Sequence, residues 1–475
     1  MDRDTELRDL SSVEWRHRFA LEEKLVKLYE VEEIYWQKRG GEKWILQGDS
    51  NSSFFHKCAN GRKRKKAIFS LEDRDKVLTE KEELKKHITD YYKNLFGREE
   101  EINMHLDENF WEQSQRMSEE GNTDLTKPFT LEELDAAVKD MKNSTAPGPD
   151  GFSIEFFKEF WPKVREDINE MLDDLHAGVL DLWRLNYEII ILLPKLREAN
   201  NIKQYRHICL LNVIYKIITK VLTLRLTRWA GKVISKKQTA FLPGRSILDG
   251  VVILQEVLHE LRVKKEEGII LKLNFEKAYD KVSWSFLEEV MIRKGFDSKW
   301  IGWTMQAVRG GRVAVDINGE RGDFFRSFKG LRQGDPLSPL LFNLVADALS
   351  SMLSAAASAG DIEGLVPHLV EGGLTHLQYA DDMIIFLKNS DQNIANLKII
   401  LLCYEMMSGL KINYNKSEVF VMGVEEEEKE RIATCFLCKV GQLPITYLGM
   451  PVSDCKLSKA QLSYLSDKVG QRLRT

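Results

Sequence analysis

The sequence predicts an α+β fold of layered helices and short strands, and three observations point to it. The 475 residues are 43% hydrophobic, enough for one large core or about two to three smaller ones, and too apolar for disorder. Helical apolar spacings interleave with β-branched runs such as Ile269-Ile270-Leu271-Lys272-Leu273-Asn274-Phe275, the pattern of a mixed layered domain. Two hairpin signals stand in the second half. Asn318-Gly319 lies between Val313-Ala314-Val315-Asp316-Ile317 and Asp323-Phe324-Phe325, a type I′ signal. Tyr379-Ala380-Asp381-Asp382 lies between Leu374, Leu377 and the run Met383-Ile384-Ile385-Phe386-Leu387, which puts two carboxylates at the tip of a buried hairpin.

Taken in order, residues 7–35 carry Leu21, Leu25 and Leu28 at helical spacing among charges, an exposed helix. The basic run Arg62-Lys63-Arg64-Lys65-Lys66 follows, with Trp36, Trp44, Phe54, Phe55 and His56 before it. Aromatics among cations can stack bases while the cations track phosphates; a nuclear-import signal or a solvated face fits the residues equally well. A second helix is expected over 81–95, then a polar Gly/Asp/Glu-rich linker over 99–127. Thr130 and Glu133 form a capping box that opens a helix with Leu134, Val138 and Met141 on one face. Ala146-Pro147-Gly148-Pro149-Asp150-Gly151 stops that helix. Helices over 154–160 and 164–175, a strand over 188–193, a helix capped by Asn212, and another from Ile247 to Leu261 come next. Ser283 caps the helix after the 269–275 strand; Ser338 as N-cap and Pro339 at N1 start the helix 340–353. Glu425 to Glu428 mark a helix start.

The net charge of -4 excludes a broadly basic nucleic-acid coat protein and leaves any such contact to local clusters. The six cysteines are scattered, and Cys435-x-x-Cys438 has no second ligand pair at zinc spacing. The polar start Met1-Asp2-Arg3-Asp4 is no signal peptide, and no apolar run approaches the ~20 residues that cross a bilayer. A soluble intracellular protein, nuclear or cytoplasmic, without a membrane partner is the expectation.

Asp381 and Asp382 carry the chemical argument. Adjacent carboxylates among apolar strands are costly unless a cation compensates them, and rigidly held carboxylates suit hard divalent ions. Two such ions about 3.5–4 Å apart can clamp both oxygens of a phosphoryl transfer.

Four further blocks stand in fixed order with this pair. With them, residues 146–451 resemble the reverse transcriptase domain of non-LTR (LINE-type) retrotransposons, particularly the plant kind. The resemblance implies a right-hand polymerase with fingers, palm and a truncated thumb, behind a helical, basic N-terminal extension. The expected domains are therefore 1–98 (extension), 99–127 (linker) and 128–475 (polymerase). Leu193-Pro194-Lys195 and Tyr205-Arg206-His207 resemble the fingers segment, which implies Lys195 and Arg206 on the incoming triphosphate. Gln238-Thr239-Ala240-Phe241-Leu242-Pro243-Gly244-Arg245 matches the next block, with Arg245 on template phosphates. In the palm strand, Asn274 stands where the family carries its first metal-binding aspartate. Tyr279 fits the residue that blocks a ribose 2′-hydroxyl; the residues alone allow plain packing as well. Gly330-Leu331-Arg332-Gln333-Gly334-Asp335-Pro336 matches a loop whose glycines admit a nucleotide, with Gln333 and Gly334 in contact with it. Asp381 is then a direct metal ligand with Asp382 at its edge, Lys416 a proton donor to pyrophosphate, and Tyr447-Leu448-Gly449-Met450-Pro451 a primer-grip hairpin.

The implied cofactor is two Mg2+ ions, with Mn2+ possible. The implied partners are an RNA template, a DNA primer and deoxynucleoside triphosphates. Three departures qualify this. His207 replaces a usual proline, which would loosen a turn. No endonuclease, RNase H or zinc-knuckle region fits in the chain. Asn274 replaces a carboxylate. An RNA-directed DNA polymerase impaired at position 274 is the primary reading. An inactive relic that binds nucleic acid through Arg62, Lys63, Arg64, Arg206 and Arg245 is the second. A maturase-like or RNA-copying polymerase is the third, disfavoured by the 332–339 block.

Overall fold

The computed structural model describes residues 9, 11–40, 67–74, 76–98, 104–143, 145–196 and 198–458, with 461–463, 467 and 470 beyond. The chain forms two compact units. The first comprises Met1–Thr79, Leu193–Tyr205 and Lys468–Thr475. Its helix Ser12–Gly40 leaves Leu21, Leu25 and Leu28 exposed and is laced by the (i, i+4) pairs Arg18–Glu22 and Lys27–Glu23, as the charge pattern predicts. A short hairpin of β1 (Leu71–Asp73) and β2 (Lys76–Leu78) follows, and the Glu72 N–H donates to the Asn200 carbonyl. Arg62, Lys63 and Arg64 lie outside the described residues.

The second unit, Glu80–Leu192 with Arg206–Asp467, holds two sheets. One runs β4-β3-β6-β7, with β8 also on β6: β3 is Tyr187–Pro194, β4 Tyr205–Leu211, β6 Arg312–Ile317, β7 Glu320–Arg321 and β8 Phe325–Arg326. The turn between β6 and β7 has φ 57° at Asn318 and 92° at Gly319, the type I′ geometry expected. The strand partner differs from expectation, because both β7 and β8 pair with β6.

The other sheet runs β12-β11-β5-β10-β9, built from β5 (Gly268–Leu273), β9 (His376–Tyr379), β10 (Asp382–Leu387), β11 (Glu418–Met422) and β12 (Lys439–Val440). Its central strand β5 is antiparallel to β10 and β11, and period-2 alternation gives the sheet two different faces. Leu271, Leu273, Met383 and Ile385 enter the main core with the helices Trp284–Arg293 and Ser338–Ala359. Ile270, Ile384, Phe386 and Phe420 enter a second core with the helix Ile247–Lys264 and the hairpin of β13 (Ile445–Tyr447) and β14 (Met450–Val452).

Several expectations need correction. The stretch taken as a linker is packed over its described part: Leu106, Trp111, Met117 and Leu125 are core residues, and Glu119–Thr126 is a helix capped by Ser118. Its polar composition hides single large apolar anchors. The helix Lys81–Leu95 has the expected bounds but belongs to the second unit. Ser338 is the first residue of its helix and not the N-cap; its hydroxyl donates to buried Asp335 at 2.9 Å, and the helix runs on to Ala359, where Gly360 closes it with φ 80°. That 22-residue helix is also long and apolar enough to cross a membrane, with 72% of its apolar window buried; core packing accounts for its composition. Asn212 does precede its helix, but its side chain accepts from Asp150 N–H and donates to the Leu185 carbonyl instead of capping.

Candidate active site

β9 and β10 are joined through the two residues Ala380 and Asp381, with Tyr379 paired to Asp382. Ala380 takes φ 53°, as at the first position of a type II′ turn, where glycine is usual. Two hydrogen bonds hold this strained tip. Gln238 Oε1 accepts from the Ala380 N–H at 2.8 Å and from the Ala240 N–H at 3.1 Å. The loop carrying Gln238 runs along the edge of β9, where the Thr239 N–H donates to the Gln378 carbonyl.

The register brings position 274 to the same place. Met383 faces Leu273, so one step on Asp382 faces Asn274, and directly opposed antiparallel residues lie about 4.5–5.5 Å apart at Cα. Both project from the same face, at its solvent-open end; Asn274 is exposed. Its backbone is pinned, the N–H donating to Ser417 Oγ at 3.1 Å and the carbonyl accepting from Asn413 N–H at 2.7 Å. Glu276 is no substitute, since Lys281 Nζ binds its carboxylate at 2.6 Å.

Asp381 sits at the accessible tip but is crowded by protein, and that desolvation pushes its carboxyl above the ordinary range. Asp382 is raised by desolvation first and the Asp381 charge second, with Lys272 opposing. Lys272 is itself 3.6 Å from Glu418. The pair is thus incompletely compensated, as a cation site requires. Two carboxylates and one amide oxygen make a hard-oxygen set that fits divalent ions, one charge short of three carboxylates.

Tyrosines wall the site. Tyr279 lies 4.5 Å from Phe342 with the rings 12° from parallel. Desolvation raises its hydroxyl, and so does the Asp381 charge. Tyr447 is raised by desolvation and then by Asp382, and the Phe241 ring lies 6.4 Å from that of Tyr379. Tyr379, Tyr447 and Phe241 stand in the quoted sequence motifs, but nothing in the sequence gives them a place beside the carboxylates; the φ of 57° at Phe241 is a three-dimensional signal with no trace in composition.

The Gly330–Gly334 segment packs behind Tyr279. The Leu331 N–H donates to the Tyr279 carbonyl and the Gly330 N–H to that of Val282. Gly330 has φ 92°, and a Cβ there would stand 2.7 Å from the Asp280 carbonyl oxygen, so only glycine fits. Gln333 is half-buried and Gly334 exposed. Arg206 projects to solvent from β4. Lys195, in the first unit, donates to the Lys203 carbonyl at 3.2 Å. Arg245 is otherwise engaged: its guanidinium donates to the carbonyls of Gly231, Ile234, Ser235 and Gln238, closing the end of the helix Val213–Val233. That geometry gives no support to a template-phosphate contact. Nor does His207 loosen a turn. It lies inside β4, buried, with Nε2 3.0 Å from Asp280 Oδ1. Lys416 ends a short 3-10 turn on the segment that pins Asn274.

Paired carboxylates at the tip of an antiparallel hairpin, in a sheet backed by helices and beside a stacked tyrosine, define a right-hand polymerase palm. Residues 194–452 match the family described as reverse transcriptase (RNA-dependent DNA polymerase), and the chain belongs to that family. Among its relatives, it is 29% identical over 380 residues to the transposon TX1 uncharacterized 149 kDa protein of Xenopus laevis, covering 79% of this chain and 28% of that protein. It is 24% identical over 326 residues to the retrovirus-related Pol polyprotein from the type-2 retrotransposable element R2DM of Drosophila melanogaster, covering 67% and 28%. A 66-residue stretch is 39% identical to the uncharacterized mitochondrial protein AtMg01250 of Arabidopsis thaliana, 14% of this chain and 54% of that one. These relatives support a non-LTR retrotransposon reverse transcriptase domain, and the chain spans less than a third of the length of the first two.

Proposed function

We propose that this chain copies RNA into DNA, joining a primer 3′-hydroxyl to the α-phosphate of a deoxynucleotide at the β9–β10 tip, and that Asn274 slows the step. The observation that carries this reading is the register that sets Asp382 opposite position 274 at the β9–β10 tip, with Asp381 in the turn between the strands and its charge acting on Tyr279. Asp381 and Asp382, with the Asn274 amide oxygen, would hold two Mg2+ ions, or Mn2+. Such ions supply charge stabilisation for the attacking and leaving oxygens. Tyr279, stacked on Phe342, excludes a 2′-hydroxyl by bulk; Gln333 and Gly334 lie against the nucleotide, and exposed Arg206 meets its triphosphate. The partners are then an RNA template, a DNA primer and deoxynucleoside triphosphates, and the AtMg01250 stretch favours the plant branch.

Asn274 also supports a second reading, a polymerase relic that binds nucleic acid without turnover. An amide offers one neutral oxygen, and its NH2 repels a cation. Primer extension on homopolymer RNA with Mg2+ or Mn2+ separates the two. Slow, metal-dependent, deoxynucleotide-selective extension supports the polymerase; none at any metal concentration, with salt-sensitive binding retained, supports the relic.

A further inference from the structure

His207 closes a buried polar cluster that the chemistry above does not use. Asp280 is 1% exposed and neither of its carboxylate oxygens accepts a hydrogen bond among the described residues. The His207 imidazole, 3.0 Å away, is the partner that faces it. The remaining cavity is about 10 Å³, lined by Glu188, His207, Cys209, Asp280 and Arg332 among others, room for no more than about one water. A carboxylate so buried depends on its protein partner for compensation. Arg332 is committed elsewhere, 3.1 Å from buried Glu188 and bonded to the Ala307 and Val308 carbonyls.

Strand β4 thereby grips both sides of the nucleotide pocket. Through His207 it holds Asp280, the residue after Tyr279 in the short helix Ala278–Lys281. Through its backbone it holds the other side, the Cys209 N–H donating to the Gln333 carbonyl at 3.3 Å. The rings of Tyr92 and Phe96 fix the imidazole edge-on at 5.5 and 6.2 Å between centroids. The Gly330 backbone against the Asp280 carbonyl and the Leu331 bond to the Tyr279 carbonyl tie the two sides together.

We propose that His207 is a positioning residue for sugar selection: its 3.0 Å contact with Asp280 sets the height of Tyr279 above Asp381 and its spacing from Gln333. This rests on the polymerase reading. His207→Gln keeps a donor but loses the imidazole that faces the Asp280 carboxylate; His207→Gln with Asp280→Asn replaces the carboxylate together with its partner. Two measurements on the whole chain decide. In ternary complexes on a dideoxy-terminated primer and RNA template with Mg2+, dGTP and GTP are titrated. His207→Gln lowers the deoxy-to-ribo affinity ratio by about tenfold or more, and the double variant recovers most of it. In the free protein, amide hydrogen exchange over 277–282 and 329–334 accelerates at least about threefold in His207→Gln, while that of β9 and β10 is unchanged. An unaltered ratio with unaltered exchange overturns the proposal, as does equal acceleration throughout the second unit. If the parent chain binds neither nucleotide, the polymerase reading fails, and the exchange comparison still decides whether His207 positions the Tyr279 segment.

Discussion

Two of the tight hairpins in the second unit, β6–β7 and β9–β10, are built by opposite rules. At the β6–β7 turn, Asn318 and Gly319 take φ 57° and 92°, and these residue types enter the left-handed region with little strain. At the β9–β10 turn the left-handed residue is Ala380, buried, followed by two carboxylates that desolvation pushes up. The first turn is locally consistent and structural. The second violates its own propensity in conformation and in charge and is held by Gln238 from another loop, which is how strained functional sites persist. Four of the nine described non-glycine residues with positive φ, namely Phe241, Lys277, Ala380 and Leu448, stand on segments that reach this site. The difference teaches where stability was given up for chemistry.

The largest expected effect concerns the carboxylates. In an Asn274→Asp background, Asp381→Asn lowers primer extension by about a thousandfold or more, roughly 4 kcal/mol of transition-state stabilisation. Gly319→Ala in the same background leaves the rate unchanged when folded protein is compared. Extension that survives Asp381→Asn would put the metal site elsewhere.

Stability should show the reverse order. Gly319→Ala forces an alanine into φ 92° and costs about 1–2 kcal/mol in a urea titration. Ala380→Gly relieves a similar strain but loses a buried methyl and gains unfolded-state entropy, so its net effect is within about 0.5 kcal/mol. A loss of more than about 2 kcal/mol at Ala380 would show that the methyl group packs more than it strains.

The smallest effect is electrostatic. Because both carboxyls are held above the ordinary range, the folded chain keeps protons there that the unfolded chain has lost. In chelator, stability therefore falls as pH rises from the ordinary carboxylate range through the raised values. Asp382→Asn flattens that slope and raises stability near neutrality by no more than about 1 kcal/mol, as for partly exposed charges. Melting curves against pH in EDTA check this; a slope of opposite sign would mean that the pair is compensated without a cation.

Much of the frame was legible in the sequence. The capping box at Thr130 and Glu133, the Asn318-Gly319 turn and the alternation in β5 are local signals, and each stands in the structure. What stayed hidden depends on distant partners. Trp111 and Met117 made a polar stretch part of the core. Arg245 looked like a phosphate ligand until four carbonyls claimed it. His207 read as a missing proline because Asp280, which it faces across the fold, is 73 positions away in the chain. Motif order pointed to the candidate site; the register of β5 against β10 adds that Asn274 falls opposite Asp382.

Position 274 is also where the account is most exposed. The parent chain and its Asn274→Asp variant are compared by single-nucleotide primer extension on RNA, across matched Mg2+ titrations. Restoring the third carboxylate should raise the rate by at least about a hundredfold, close to 3 kcal/mol, and lower the Mg2+ concentration at half-maximal rate. Equal rates and equal metal dependence in the two proteins would contradict it, and would mean that the metals are held without position 274.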